Sequence, residues 1–167
     1  MDSRLQENPD ARSADRPVRW QLSRFMDLTP AELYAALALR QRVFVVEQEC
    51  AYQDADWRDA DAWHLLGWAT GEVPSRLVAY ARIFEPGQRY DEGSIGRVIA
   101  APETRGTGLG RALMVESLRC LDNLAPGAKV RIAAQQRLET FYRGLGFRTI
   151  SDPYEEDRIM HVDMILP

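Results

Sequence analysis

A run of alternating glycines between two arginines is the part of this sequence best suited to chemistry. It precedes an apolar stretch with helical spacing, and its residues are Arg105, Gly106, Thr107, Gly108, Leu109, Gly110 and Arg111. Alternate glycines let the backbone turn tightly and leave N–H groups pointing outward at a helix N-terminus, where the helix dipole favours an anion. The flanking arginines can add charge-assisted hydrogen bonds to a phosphate. The pattern therefore indicates a site for a phosphate-bearing ligand.

The spacing of these glycines argues against the common nucleotide-binding loops. A Walker A loop ends in Gly-Lys followed by Ser or Thr, and no such sequence follows here. The dinucleotide fingerprint G-x-G-x-x-G would need a glycine at position 111, which is arginine. A nucleotide-phosphate binder is therefore the weaker alternative. A glycine turn that only opens a helix would not need the two arginines.

The glycine run resembles the coenzyme A signature of the GNAT acetyltransferase superfamily, Q/R-x-x-G-x-G/A. Arg105, Gly108 and Gly110 stand at the matching positions. A second match lies downstream, where residues 134–135 (AQ) and 141–147 (FYRGLGF) are similar to the family's strand followed by F-Y-x-x-x-G-F. The two motifs occur in the family's order.

Shorter segments extend the resemblance, toward the ElaA-type subgroup, over about residues 33–166. These segments are 42–48, 52–56, 64–68, 79–83, 95–98 and 154–157. The resemblance implies an N-acetyltransferase that moves acetyl from acetyl-coenzyme A to a primary amine by direct attack in a ternary complex, without an acyl-enzyme. It also implies an α/β, GNAT-like fold, with a mixed central sheet of about six or seven strands flanked by helices and a splayed central strand. A coenzyme A-binding module that keeps the fold without turnover stays open as the alternative.

The same resemblance implies roles for individual residues. Tyr142 matches the family's usual general acid toward the coenzyme A sulfur. The backbone of the splayed strand at Val98 and Ala100 would pair with the pantetheine arm, and the N–H near Val98 would stabilise the oxyanion. The full set of expected cofactor-binding residues is Val98, Ile99, Ala100, the run 105–111 and Gln135.

The general base is the least determined role. The family often places a glutamate on the central strand, but residues 94–100 offer only Arg97. His64 and His161 are the first choices because histidine titrates near neutrality, although a lone histidine is more often structural. A water that relays to a carboxylate would also serve. The acidic candidates are Glu47, Glu155 and Glu156.

Apolar patterns and turn residues predict the elements that hold these groups. A helix should begin after Thr29, which has Pro30 at the first helical position and Glu32 placed for a capping box. Further helices are expected at 109–124 and 138–145. Strands are expected at 18–25, 63–69, 77–84, 94–100, 130–134, 147–150 and 159–166. This alternation predicts an α/β domain with a central mixed sheet.

Composition limits the class of protein. The 167 residues suggest one domain, expected at 17–167, after a polar tail at 1–16 that lacks residues to bury. The net charge of −4 argues against nucleic acid, and no apolar stretch is long enough to span a membrane. Two distant cysteines, with no Cys/His cluster, predict no metal site and a reducing, cytoplasmic location. A homodimer formed through sheet edges stays open.

Charge is distributed unevenly along the chain. Residues 47–61 contain six acids and one base, whereas residues 105–148 contain eight bases and three acids. Two interpretations are open: two solvated faces, or an anion site in the second half opposite a rim that accepts a cationic amine. The same two interpretations apply to the acidic run 152–157. On the second interpretation the acceptor would be a lysine side chain, an N-terminal amine, a polyamine or an aminoglycoside.

Two charged residues fall on the apolar stripe of the helix that begins after Thr29. They are Arg40 and Glu47. Burial of an unpaired charge is costly, so each should find a partner or line a cavity.

Overall fold

A single mixed β-sheet organises the protein. The computed structural model describes residues 17–71 and 75–167, so the expected tail at 1–16 and most of the turn at 71–74 lie outside the described residues. The sheet has eight strands in the order β1-β2-β3-β4-β5-β8-β6, with β7 paired to β8. The strands are β1 Val18–Arg24, β2 Trp63–Ala69, β3 Leu77–Phe84, β4 Gly93–Ala100, β5 Val130–Gln135, β6 Arg148–Thr149, β7 Tyr154–Glu156 and β8 Ile159–Leu166.

Among the described residues three α-helices flank the sheet, and the first has an unusual end. The helices are α1 Pro30–Arg40, α2 Leu109–Leu124 and α3 Glu139–Arg143. The capping box at Thr29 is confirmed, because its hydroxyl accepts from the Glu32 N–H while the Glu32 carboxylate accepts from the Thr29 N–H. After α1 the chain continues as a π-helical segment, Gln41–Glu47. Such segments are rare and frequently accompany functional sites.

The two faces of the sheet are covered by different helices. The face under α1 and the π-helical segment holds a core cluster that includes Ala36, Leu39, Val43, Leu66, Tyr80 and Ile99. The opposite face, under α2 and α3, holds a cluster that includes Ala81, Ile83, Ile95, Leu113, Met114 and Leu121. Because both faces are covered, β2 and β3 are apolar and buried along almost their whole length.

The expected splay of the central strand is confirmed. β4 and β5 run parallel but pair only at Gly93–Val130 and Ser94–Arg131. Beyond these two pairs, no ladder joins β4 to β5 in the described sheet. The β4 strand changes from buried at Ile95 to half-buried at Gly96. We call the wedge between β4 residues 96–100 and the end of β5 the cleft.

The remaining differences from the expected elements lie near the C-terminus. The sheet has more strands than the six or seven expected, because Tyr154–Glu156 forms a hairpin with β8. Helix α3 is shorter than 138–145, and a 3-10 turn at Gln136–Leu138 precedes it. The chain still turns at Gly146, whose φ of 96° favours glycine.

Candidate functional site

A β-bulge lies in β4 at the cleft. Tyr80 pairs with Ile99 and Arg82 pairs with Gly96, so β4 contains one more residue than β3 over this stretch. The extra residue is accommodated at Arg97, whose φ of 52° is left-handed. Val98, which follows, has no ladder partner on either side in the described sheet. Its backbone is therefore available to a ligand in the cleft.

The glycine loop follows β4 and leads into α2. Gly106 and Gly108 have φ values of 80° and 87°, which side chains rarely adopt. A Cβ atom added at Gly108 or Gly110 would meet nothing within 4 Å, so open space lies over both residues. The Ala112 N–H donates to the Gly108 carbonyl at 3.0 Å, and the helix amides before it, at 109–111, precede this first helical bond. The loop therefore combines open space with the positive end of a helix dipole.

The two arginines of the loop contact other parts of the cleft. Arg111 donates to the Gly144 carbonyl at 3.3 Å, which ties the start of α2 to the end of α3. Arg105 forms a two-point ion pair with Glu47, with nitrogen–oxygen distances of 2.7 and 3.0 Å. Glu47 ends the π-helical segment. Arg105 is thus engaged by a carboxylate of the protein itself.

Gln135 connects the same segment to the other wall of the cleft. It is the last residue of β5, and its side-chain amide donates to the Gln48 side chain at 3.2 Å. Since Glu47 contacts the loop after β4, residues 47–48 touch both walls of the cleft. Arg137 donates to the Gln135 side-chain oxygen at 2.9 Å and holds its orientation.

Tyr142 lies on α3 and is buried. Its ring packs edge-on against Phe141 and Phe147, with centroid distances of 5.1 and 5.9 Å. Burial raises the pKa of the Tyr142 hydroxyl to about 12, so the group stays protonated at neutral pH. Within the described chain this hydroxyl makes no hydrogen bond, although the side chain is only 7% exposed. It is a donor held in place by packing in the core and not by a hydrogen bond.

The structure does not bring the two histidines together. His64 on β2 is fully buried, its Nδ1 lies 2.7 Å from the Tyr80 hydroxyl, and its Nε2 lies 2.9 Å from the Asp59 carbonyl. Because a carbonyl only accepts, Nε2 carries the proton and Nδ1 accepts from the tyrosine. Burial also lowers the pKa of His64, so the ring is neutral. Both ring nitrogens are engaged, and neither faces an external amine.

His161 lies closer to the cleft. It pairs with Gln135 across the β5–β8 ladder and is half-buried. Its Nδ1 donates to the Ile159 carbonyl at 2.8 Å, and its ring stacks on Tyr154 at a centroid distance of 6.1 Å. No other residue in the described ranges bonds its Nε2. The alternative acids Glu155 and Glu156 are exposed on β7.

The acidic loop after the π-helical segment is neutralised inside the protein, which corrects the sequence-based interpretations. Asp54, Asp56 and Asp59 form a buried ion network with arginines from α1, β3 and β4. Arg40 bonds Asp54 and Asp59 at 2.6 Å each, Arg82 bonds Asp56 at 2.7 Å and Asp59 at 3.0 Å, and Arg97 bonds Asp54 at 2.7 Å. At these three positions the loop is therefore neither a solvated face nor a rim that accepts a cation.

This network confirms one prediction and shows what the sequence did not indicate. Arg40, on the apolar stripe of α1, needs a partner and has two. The role of Arg82 is not predicted, although an arginine inside the apolar strand LVAYARIF is a usable signal. Burial would raise the pKa of Asp56, but its hydrogen bonds to Arg82 outweigh this and lower it. The pKa of Asp59 is lowered in the same way by Arg40.

Over the described ranges two further features are not found. No three His, Cys, Asp or Glu side chains form a group that could hold a metal ion. No helix is long and apolar enough to cross a bilayer. Cys50 and Cys120 are both buried, free thiols.

Known proteins resemble this chain in sequence and in structure. A family model described as an acetyltransferase (GNAT) domain matches residues 60–167. The protein ElaA of Escherichia coli K12 is 41% identical over 149 residues, which is 88% of this chain and 95% of that protein. A UPF0039 protein of Synechocystis sp. is 40% identical over 148 residues, 89% of this chain and 94% of its own. The crystal structure of an acyl-CoA N-acyltransferase from Pseudomonas aeruginosa superposes with a TM-score of 0.83 at 37% identity, covering 90% of this chain and 100% of that one.

Proposed function

The chain belongs to the GNAT acetyltransferase family, and from this premise we propose that it transfers acetyl from acetyl-coenzyme A to a primary amine. One observation carries the proposal: the unpaired backbone of β4 at Val98 adjoins the open glycine loop at the start of α2. The first can bind an amide chain and a carbonyl, and the second can bind phosphates. Acyl-coenzyme A is a ligand that carries all of these groups.

The two parts of the cleft would hold different parts of coenzyme A. The diphosphate would lie against the loop amides and the two loop arginines. The pantetheine arm would pair with the β4 backbone, with Gln135 on the opposite wall. The proposed cofactor-binding residues are Val98, Ile99, Ala100, Arg105, Gly106, Thr107, Gly108, Leu109, Gly110, Arg111 and Gln135.

Direct transfer accounts for the groups at the cleft. The neutral amine attacks the acetyl carbonyl, whose oxygen becomes an oxyanion and accepts from the Val98 N–H. The C–S bond then breaks, and the departing sulfur accepts a hydrogen bond from the Tyr142 hydroxyl. Because a thiol has an ordinary pKa of about 8.5, the tyrosine is the weaker acid and acts chiefly as a donor. The thiolate then takes its proton from solvent.

His161 is the better of the two histidines for accepting the proton of the amine. It is half-buried, pairs with cleft residue Gln135, and keeps Nε2 unbonded by other described residues. His64 is enclosed, with both ring nitrogens engaged. We therefore assign His64 a structural role and His161 the role of base.

Binding of acetyl-coenzyme A to wild type and Gly108→Glu is the first test. A negative side chain in the open space above Gly108 would repel and obstruct phosphates, so we expect at least about a hundredfold loss of affinity by calorimetry. Gly87→Glu is the matched control, because Gly87 has a similar φ of 83° and equally open space in a turn after β3. If wild type does not bind at millimolar ligand, or both variants lose affinity alike, the proposal is wrong.

Turnover distinguishes an enzyme from a module that only binds coenzyme A. A panel of a lysine peptide, a free N-terminal peptide, a polyamine and an aminoglycoside covers the proposed acceptors. With any acceptor that reacts, we expect Tyr142→Phe to lower kcat about ten- to a hundredfold while leaving the Kd for acetyl-coenzyme A unchanged. Binding with no release of coenzyme A across the panel would favour the module instead.

We place this reaction in the cytoplasm. Both thiols, Cys50 and Cys120, are unpaired, as expected in a reducing compartment. The proposed partner is the amine-bearing acceptor, with no role for nucleic acid or membrane.

A further inference from the structure

Arg97 occupies a backbone conformation that needs an explanation. Its φ of 52° lies in the left-handed region, which residues other than glycine, asparagine and aspartate rarely adopt because a Cβ atom crowds the backbone there. Glycine would fit this bulge without strain, yet the position carries an arginine. Strained conformations of this kind persist only where the surroundings hold them, and they cluster at functional sites.

The side chain of Arg97 is held from several directions. Its Nε donates to Asp54 at 2.7 Å, and its Nη2 lies 3.5 Å from Asp56. The guanidinium also lies over the rings of Phe44 and Tyr52, 5.8 Å from each centroid. These contacts come from the π-helical segment and from the loop that follows it, so the anchor lies outside the sheet.

The anchor is itself rigid. Asp54 is buried and also bonds Arg40 at 2.6 Å, while the Tyr52 hydroxyl donates to it at 3.0 Å. Asp56 is fixed by both terminal nitrogens of Arg82. The charge of Arg97 is thus already matched by carboxylates, and little of it is available to a substrate.

The bulge decides which way the next amide faces. Side chains and ladder bonds alternate along a strand, so removal of one extra residue shifts everything after it by one position. In a regular β4, Val98 would pair with β3. With the bulge at Arg97, the ladder passes from Gly96 to Ile99 and leaves the Val98 backbone unpaired beside the cleft.

We propose that Arg97, anchored by Asp54 and Asp56, is a positioning residue that holds the β4 bulge and so directs the Val98 N–H to the acetyl carbonyl oxygen. This role rests on the proposed function. Arg97 does not touch the reacting atoms, and it occupies the strand on which the family resemblance would place a carboxylate base.

The preference of the protein for acetyl-coenzyme A over coenzyme A measures this amide contact without any acceptor. One hydrogen bond to the carbonyl should make wild type bind acetyl-coenzyme A about two- to tenfold more tightly than coenzyme A. In Arg97→Ala the anchor is lost and the strain remains, so the ratio of the two affinities should fall to about one, whatever the change in affinity for coenzyme A itself. A merely structural residue would change both affinities together.

Arg97→Gly separates backbone geometry from the guanidinium itself. Both variants lose the ion pair, but only glycine adopts a φ near 52° without strain, so Arg97→Gly should keep part of the preference. Arg97→Lys keeps a cation beside Asp54 but lacks the planar guanidinium, so it should show an intermediate ratio of affinities. It replaces Arg97→Ala in the test if the alanine variant does not fold. Arg119→Ala, which breaks a surface pair with Glu116, is the matched control and should retain the wild-type ratio.

Several outcomes would overturn this role. If wild type binds acetyl-coenzyme A and coenzyme A equally, the Val98 amide makes no hydrogen bond to the acetyl carbonyl. An unchanged ratio in Arg97→Ala, or an equal loss in the alanine and glycine variants, shows that bulge geometry is not what Arg97 supplies. Each of these leaves coenzyme A binding intact, and acetyl transfer is then decided separately by the turnover assay. Failure of wild type to bind either ligand removes both proposals.

Discussion

At the scale of single residues, the charged side chains that suggest chemistry in the sequence are mostly engaged with one another. Arg105 is part of the glycine loop, yet it meets Glu47, which is 58 residues earlier in the chain. Both side chains are partly exposed, so the pair contributes at most about 1 kcal/mol. A phosphate that uses Arg105 must replace this carboxylate.

We therefore expect Glu47→Gln to tighten binding of acetyl-coenzyme A about two- to fivefold, because Arg105 no longer has a competing partner. Calorimetry at low salt measures the change. A short acetyl thioester without phosphates should show no gain. Glu116→Gln removes a carboxylate from another arginine pair, on α2, and should leave the affinity unchanged. Weaker binding by Glu47→Gln would show instead that Glu47 supports the cleft.

How much of the site can be predicted depends on how local each signal is. The glycine loop and Tyr142 each stand in a short continuous motif, so the amino-acid sequence alone is enough to propose them as parts of the site. The anchoring of Arg97 by Asp54 depends on residues 43 positions apart, and no local pattern indicates it. His64 illustrates the opposite case, where a residue of suitable chemistry is enclosed by Tyr80 and the Asp59 carbonyl.

At the scale of elements, local rules predict most boundaries and fail where pairing or an unusual helix decides. The capping box at Thr29 and the strand at Leu77–Phe84 are predictable because their signals are contiguous. β7 is only three residues long and exists through its pairing with β8. The π-helical segment Gln41–Glu47 has no sequence signature of its own. Its end nevertheless supplies Glu47 to the cleft.

Gly110 tests whether the start of α2 is shaped for a ligand or for helix stability. It lies in the first turn, and a Cβ atom there would meet nothing within 4 Å. Gly110→Ala should raise the free energy of unfolding by about 0.5 kcal/mol, because alanine favours a helix more than glycine does. The same methyl group should weaken acetyl-coenzyme A binding, by about three- to tenfold, if phosphates approach this backbone.

Asn123→Ala is the control for this substitution, because Asn123 is exposed at the far end of the same helix. It should raise stability without any effect on binding. Urea unfolding and calorimetry on the same preparations measure both quantities. Unchanged affinity in Gly110→Ala would place the phosphates elsewhere.

At the scale of the whole molecule, the buried ion network links elements that the sheet alone would leave independent. Arg40 comes from α1, Arg82 from β3 and Arg97 from β4, and the loop aspartates join them. Sequence patterning predicts an α/β domain, but patterning cannot supply strand order or the loss of pairing between β4 and β5. Those features depend on which long-range contacts form, and here the network secures the side of the cleft next to α1.

His64, which adjoins this network at the Asp59 carbonyl, and the network itself should make stability depend on pH in two separate steps. Burial lowers the pKa of His64 below its ordinary 6.5, so the unfolded chain takes up a proton that the folded protein resists. Stability is then complete above about pH 6.5 and falls as pH decreases toward the folded pKa. Asp56 and Asp59 also have lowered pKa values, from an ordinary 3.8, so their contribution is present above about pH 4 and is lost as pH falls further.

Urea unfolding from about pH 8 to pH 3 should therefore show a plateau, a first decline below about pH 6.5 and a second below about pH 4. Replacement of the ring by His64→Gln should remove the first decline and keep the second, at a lower overall stability. His161→Gln replaces the other histidine of the chain and is the matched control, which should leave the first decline in place. Stability that rises as pH falls from about 6.5 to 5 would contradict this prediction, because it would mean that His64 is charged in the folded protein.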